Sequence, residues 1–328
     1  MKVTNIKGWD KRGKVQEGFY FDGYLKSNLD GIPGFLGKEY DCVGIISGHG
    51  KVRIGKSTLG IQVGAYIAWM LAGGRIDAHK ETIEGKDKWV IEKVVNPKKI
   101  VRYNLKENIV FSAEELMSKA YKLYEKYGPN QVIVYDEGRQ GLDSARAMES
   151  INKGMEDFFQ ECGFMGHVIL IILPNFFKLH EDYAVARSLF LINVYADKQF
   201  NRGYFSFYNE YQKEKLFFFG KKKLGVRAKY DSASHNFWGR FSGWTPFDKK
   251  EYNELKKKAM IKKRHSRIQK KFKKQRDGAL FLLKKHSELT YDAIAQDLSA
   301  VTNQKISNRT IKYAVSNISH QKVEDLGN

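Results

Sequence analysis

The run Gly50-Lys51-Val52-Arg53-Ile54-Gly55-Lys56-Ser57 follows an apolar stretch, Cys42-Val43-Gly44-Ile45-Ile46, and leads into a helix-like segment from Thr58 to Leu71. A strand that feeds a glycine-rich loop opening a helix has the form of a phosphate-binding loop. Glycines let successive backbone N–H groups curl around a triphosphate, Lys56 reaches the terminal phosphates, and the Ser57 hydroxyl can ligate Mg²⁺. The helix points its positive end at the same anion. Apolar residues at Leu59, Ile61, Val63, Ala65, Ile67 and Ala68 mark that helix as mostly buried. On this reading Gly50, Arg53, Gly55, Lys56, Ser57 and Thr58 form a nucleotide cradle, with Ser57 also a metal ligand.

Hydrolysis needs more than a cradle: a carboxylate for the metal shell and a group that orients the attacking water. Val132-Ile133-Val134-Tyr135-Asp136-Glu137 is a hydrophobic strand ending in two acids. In an open parallel sheet the carboxyl end of such a strand lies beside the phosphate loop. Asp136 would then contact nucleotide-bound Mg²⁺ through water while Glu137 polarises the nucleophile. A further strand ends at Leu173-Pro174-Asn175. Asn175 either senses the terminal phosphate or positions water, or it is a turn residue present for its own hydrogen bonding. Multimeric nucleotide motors complete their sites with an arginine from a neighbouring subunit, for which Arg139, Arg146 and Arg187 are candidates and Arg53 a cis alternative.

A chain of 328 residues holds one large domain, or a middling one with a small appendage. From Asp41 onward short β-rich runs alternate with longer helical ones, the pattern of an α/β fold with a mainly parallel sheet and crossover helices. The expected strands are 42–47, 108–111, 131–135, 167–173 and 188–195. Ser112 caps a helix ending near Gly128-Pro129. Residues 1–40 read as an irregular lead-in, and 74–103 as a polar excursion. Tyr204–Tyr208 and Lys215–Phe219 suggest a β-hairpin added at the sheet edge.

A formal charge of +20 predicts an anionic polymer or surface as partner. Residues 256–276 carry twelve lysines and arginines in twenty-one positions without an acid, as in a basic linker helix. Beyond them Gly278–His286, Tyr291–Leu298 and Asn308–Asn317 form three short amphipathic stretches, with Thr290 and Ser307 at cap positions. Three short helices with tight connections match a helix-turn-helix-like DNA-binding domain, the third helix offering Asn308, Arg309, Thr310, Lys312 and Tyr313 to a groove. The competing reading is a small appendage that packs or binds protein. Lys262, Lys263, Arg264, Arg267, Lys270, Lys271, Lys273, Lys274, Arg309 and Lys312 are the candidate DNA contacts. Cys42 and Cys162 lack the spacing of a zinc or redox motif. No apolar run is long enough for a membrane span and Met1–Gly8 lacks a secretion signal, so a soluble intracellular chain is expected.

Gly55-Lys56-Ser57, the strand end Tyr135-Asp136-Glu137, and the segment Ile172–Phe177 through Ala186-Arg187-Ser188 together resemble phage and viral P-loop ATPases of the additional-strand group. That group includes DNA-packaging terminase motors, DNA-segregation pumps and zonula occludens toxin-like proteins. The resemblance spans about residues 40–200. It implies a RecA-like core, ATP with Mg²⁺ as cofactors, a homo-oligomeric ring or filament, duplex DNA as the object moved, and a viral portal or other nucleoprotein component as partner. The implied compartment is the cytoplasm, that of the host if the chain is viral. The basic region after the core departs from the acidic nuclease domain of terminase large subunits. The absence of an apolar span departs from the toxin-like proteins. The expected division is a lead-in at 1–40, an ATPase domain at 41–250, a basic linker at 251–277 and a helix-turn-helix-like domain at 278–328. The expected activity is that of an ATP-hydrolysing DNA motor for packaging or translocation. The alternative is an ATP-gated DNA-binding accessory factor for replication, partition or transposition. A small-molecule kinase accounts less well for the basic tail.

Overall fold

The computed structural model describes residues 2–10, 12–38, 40, 42–48, 53–136, 156, 163–225, 228–302 and 305–324. The chain divides into two compact units, Met1–Ala259 and Met260–Asn328.

The first unit begins with an antiparallel hairpin, β1 (Lys2–Trp9) and β2 (Val15–Tyr20), followed by short helices α1 (Gly23–Leu29) and α2 (Ile32–Leu36). It continues with β3 (Cys42–Ser47), α3 (Lys56–Leu71), the hairpin β4 (Arg75–Ile83) and β5 (Lys86–Val95), α4 (Leu105–Asn108), β6 (Ile109–Val110) and α5 (Ala113–Tyr127). Then come β7 (Val132–Asp136), β8 (Val168–Ile172), β9 (Phe190–Tyr195), β10 (Tyr204–Asn209), α6 (Glu210–Phe217) and β11 (Phe237–Arg240). A seven-stranded sheet runs in the order β11-β10-β9-β3-β8-β7-β6. Strands β9, β3, β8, β7 and β6 are parallel, and β10 and β11 extend that sheet antiparallel.

Every residue of β3, β7 and β8 is buried, as a parallel sheet covered on both faces requires. Alternation sorts their side chains. Cys42, Ile46, Val132, Val134, Val168, Leu170 and Ile172 join the core under α1, α2 and α3. Val43, Ile45, Ile133, Tyr135, Ile169 and Ile171 join the other core with Leu116 and Leu123 of α5 and Leu216 and Phe217 of α6. Helix α3 approaches the sheet closely because it carries glycine where it crosses β8 and β7: a Cβ on Gly60 would lie 2.6 Å from Ile172, and one on Gly64 3.0 Å from Val134.

The five expected core strands coincide with β3, β6, β7, β8 and β9 to within a few residues. Two other expectations need correcting, and a third gains detail. Residues 1–40 are regular, because Phe19 and Phe21 are fully buried against Trp244 and Tyr66, and Asp22 caps α1 by accepting from Tyr24 and Leu25 N–H. The excursion at 74–103 is mainly a two-stranded hairpin, turned by Glu84 and Gly85 at φ 53° and 70°. Lys215–Phe219 is not a strand. Asn209 caps a helix there by accepting from Gln212 N–H, and Lys213, Leu216, Phe217 and Gly220 are buried at helical spacing, so β10, antiparallel to β9 on one side, pairs on its other side with β11 instead.

A long helix, α7 (Lys249–His286), starts in the first unit and continues into the second. The second unit adds α8 (Tyr291–Thr302) and α9 (Asn308–Glu324), and its core is Leu280, Ile294, Ala295, Ile311, Ala314 and Val315. Thr290 Oγ1 accepts from Ala293 N–H and Ser307 Oγ from Thr310 N–H, so both expected caps are formed. Among the described residues no helix is long and apolar enough to cross a membrane.

His167, just ahead of β8, accepts at Nδ1 from Gln131 N–H (3.2 Å) and donates from Nε2 to the Ala120 carbonyl (3.1 Å), which fixes the neutral ring. Burial pushes its pKa below the usual 6.5. The unfolded chain takes up this proton first, so the contribution is complete above the unfolded value and is lost as pH falls below it. His167→Gln should cost about 1–3 kcal/mol near neutrality, and the gap to wild type should shrink on going from about pH 7 to about pH 5 in urea unfolding.

Candidate functional site

The carboxyl ends of the parallel strands carry the convergent polar groups. Ile172 of β8 is in register with Ile46 of β3 on one side and Asp136 of β7 on the other, so the three form one row across the sheet. With strands 4.7–4.9 Å apart, Asp136 stands roughly 10 Å from β3. Alternation along β7 places Asp136 on the same face as Val132 and Val134, under α3. Asp136 is buried, at 2% exposure.

Helix α3 begins at Lys56 behind Gly55, which has φ 103° and makes no side-chain cap. Its first N–H groups therefore face outward without a capping side chain. Two features require glycine at 55: the positive φ, and the Phe241 ring, which would lie 2.7 Å from an added Cβ. Arg53 also has a positive φ, 60°. These residues open onto a cavity of about 1140 Å³ lined by Arg53, Gly55, Lys56, Ser57, Thr58 and Asp136 together with parts of the chain remote in sequence. Asp10, Gln16 and Tyr20 come from the first hairpin, Arg202 from the β9–β10 turn, and Phe241–Trp244, Lys249, Tyr252 and Lys256 from the end of the unit. Among the described residues the lining holds Arg53, Lys56, Arg202, Lys249 and Lys256 against two acids, Asp10 and Asp136, a balance that suits an anionic ligand.

The space of roughly 10 Å between the strands is bridged by α7. Lys256 Nζ donates to Asp136 Oδ2 at 2.8 Å and reaches Ser57 Oγ at 3.4 Å. Tyr252, one turn earlier, donates its hydroxyl to the same Oδ2 and lies 3.2 Å from Lys256 Nζ. Burial, and then the Asp136 charge, push the Tyr252 phenol well above its usual pKa, so it remains a donor. Ser57 and Asp136 thus present oxygen donors to one cation, here an ammonium. A hard divalent cation such as Mg²⁺ asks for the same chemistry, with one carboxylate, phosphate oxygens and water completing its shell. The residues present fit that ion.

The cavity wall is held by buried polar contacts. Gln62 of α3 donates from Nε2 to the Ser242 and Trp244 carbonyls, both at 2.8 Å. Trp244 stacks on Phe19 at 4.0 Å, and Trp9 and Thr245 exchange backbone hydrogen bonds. At the end of β3 the Ser47 and Tyr230 hydroxyls meet at 2.7 Å, and Tyr230 Oη accepts from Phe176 N–H, fixing the turn after β8.

Gly50, Glu137, Arg139 and Arg146 lie outside the described residues. Asn175 uses its side-chain oxygen to accept from Phe177 N–H, and the cavity lining reaches Pro174 but not Asn175, so the turn role prevails. Arg187 precedes β9, whose first residue is level with Gly44, and so lies at the end of the sheet opposite the loop, out of reach of this chain's own cavity. Asn308 donates to Asp292. Arg309, Lys312 and Tyr313 are exposed on α9, opposite buried Ile311, Ala314 and Val315. Lys262 and Lys273 are exposed on α7, while Lys263, Arg264, Arg267, Lys270, Lys271 and Lys274 belong to the same helix. Lys256, part of the basic run, serves the cavity. Tyr252, Arg202 and Phe241 had no local signal beyond the i, i+4 spacing of Tyr252 and Lys256.

Comparison with protein-family models, with curated proteins and with solved structures finds no match to this chain.

Gln62→Leu removes two buried hydrogen bonds and leaves two carbonyls without that partner. It should destabilise the first unit by about 2–4 kcal/mol, measured as a fall in the urea midpoint with an unchanged slope. An unaltered midpoint would show that the Ser242–Trp244 wall does not depend on α3.

Proposed function

We propose that this chain is a P-loop ATPase of the additional-strand group that works on DNA as a packaging or translocation motor. The observation that carries the reading is the single cation shared by Ser57, at the start of the helix behind Gly55, and Asp136, at the end of β7, within a cavity of predominantly basic lining. The sheet order supports it, since β8 intervenes between the loop strand β3 and the acid strand β7, as the additional-strand arrangement implies.

In this reading the α3 N-terminus and Lys56 bind the phosphates of ATP, and Ser57 and Asp136 hold the metal. Bound Mg²⁺ would neutralise charge on the β and γ phosphates. Tyr252 keeps the Asp136 carboxylate oriented by donating to it. Glu137, the next residue along from Asp136, orients and deprotonates the attacking water. Arg202 and Arg53 supply further positive charge at the cavity wall, where an arginine from a neighbouring subunit would complete a ring. The exposed bases of α7 take DNA phosphates.

Lys56→Ala should abolish binding of a fluorescent ATP analogue, and Glu137→Gln should retain binding while turnover falls by two orders of magnitude or more, on the scale of a lost catalytic base. Normal turnover in Lys56→Ala would remove the nucleotide assignment. Measuring turnover with and without duplex DNA then tests the partner, with stimulation expected.

A second reading, an ATP-gated DNA-binding factor that does not translocate, draws on the compact C-terminal three-helix core and the exposed Arg309, Lys312 and Tyr313 of α9, a helix-turn-helix-like presentation. Protection of one DNA sequence with slow turnover would favour it over directional displacement of a roadblock. Either reading predicts that neutralising Lys262, Lys263, Lys270 and Lys271 flattens the dependence of log affinity on log salt by about 0.9 for each DNA phosphate that is no longer neutralised. An unchanged slope would place the DNA elsewhere.

A further inference from the structure

Lys256 occupies the one position in the cavity where Ser57 and Asp136 converge, and nothing in the nucleotide chemistry above requires a lysine there. Its ammonium contacts Asp136 Oδ2 and Ser57 Oγ, the two groups assigned to the metal. Asp136 is nearly fully buried, with 3% of its side chain exposed, whereas the Lys256 side chain is 21% exposed. The carboxylate is therefore fixed, while the ammonium sits on a flexible four-carbon stem with a route to solvent. Tyr252, on the same face one turn earlier, holds Asp136 Oδ2 independently, so withdrawal of Lys256 leaves the carboxylate positioned and hydrogen-bonded.

We propose that Lys256 is a built-in occupant of the metal position, and that Mg²⁺ arriving with nucleotide must expel its ammonium from between Ser57 and Asp136. This rests on the nucleotide reading above. A single carboxylate balances one ammonium when no nucleotide is bound and avoids a bare buried charge. A divalent ion at the same oxygens repels the ammonium at a distance of a few ångströms, where charges interact strongly in a partly buried site. The two cations therefore exclude each other. The first turns of α7 are tied to the sheet's polar row through both Lys256 and Tyr252 in the metal-free state, and through Tyr252 without Lys256 in the metal-bound state, while Leu255 and Ala259 stay packed on the core. Occupancy of the site is thereby converted into a change in how α7 is held at its start, within the first unit.

Competition of this kind has a signature that a structural or phosphate-binding lysine does not produce. Calorimetric titration of a non-hydrolysable ATP analogue into wild type, Lys256→Gln and Lys56→Ala, each with Mg²⁺ and with EDTA, separates the cases. With Mg²⁺, Lys256→Gln should bind three- to tenfold more tightly than wild type. With EDTA it should bind equally or more weakly, because the Asp136 charge then faces the phosphates uncompensated. Equal or weaker binding with Mg²⁺ would overturn the proposal and make Lys256 a phosphate ligand or a purely structural group. If wild type binds the analogue and Lys56→Ala does not, the nucleotide reading stands whatever Lys256→Gln shows; if wild type fails to bind in every arm, that reading falls and the proposal with it. A measurement on wild type alone covers poor folding of the variant: reductive methylation of Lys256, read by mass spectrometry, should increase when analogue and Mg²⁺ are added together and not with analogue in EDTA. Unchanged or reduced labelling with Mg²⁺ present would refute displacement.

Discussion

Burial of the parallel strands on both faces governs everything above them. Because each of β3, β7 and β8 is enclosed, a one-residue slip of any of them would exchange its two sets of apolar side chains, and a slip of β7 would carry Asp136 from the α3 face to the α5 face. The register that sets Ile46, Ile172 and Asp136 in one row is thus enforced by the whole core and not by the polar groups. Those groups inherit their positions, and the close approach of α3 through Gly60 and Gly64 brings Ser57 over the same row.

What can be read from the chain without its structure divides along the same line. Strands β3, β7, β8 and β9 are legible since doubly covered strands are short continuous apolar runs, and the loop is legible since its glycines, lysine and serine are adjacent in sequence. Lys215–Phe219 misleads because aromatic residues suit either a strand or a buried helix, and the decision rests on Asn209 as a cap and on Lys213 reaching the Val185 and Ser188 carbonyls. The hairpin at the start escapes a sequence reading since its order depends on Trp244, more than two hundred positions away. Tyr252 and Lys256 are hidden for a related reason. They sit at the edge of a densely basic stretch whose composition suggests solvent or DNA, and only the tertiary fold turns that face toward Asp136.

A count of the 57 lysines and arginines overstates how many bases face outward. Lys256 is neutralised within the cavity, Arg276 is paired with the buried Asp277, and Lys213 lies in the core with its pKa pushed down to about 8 by burial while its ammonium donates to backbone carbonyls. What remains exposed on α7 and α9, including Lys262, Lys273, Arg309 and Lys312, is the part relevant to a polyanion. The 57 lysines and arginines are therefore a mixture of internal ties and outward surface, and the two respond to salt differently, since buried pairs are screened much less.

The cavity is walled by the first hairpin and by residues 241–256, which meet through the Trp9–Thr245 pairing and the Phe19–Trp244 stack. A polypeptide leaving the ribosome has its glycine loop and its acid strand long before it has that wall. The pocket comes into being only once residues 241–256 have emerged, so a nascent fragment holding both sequence motifs would have the recognisable parts of the site without an enclosed place for a ligand.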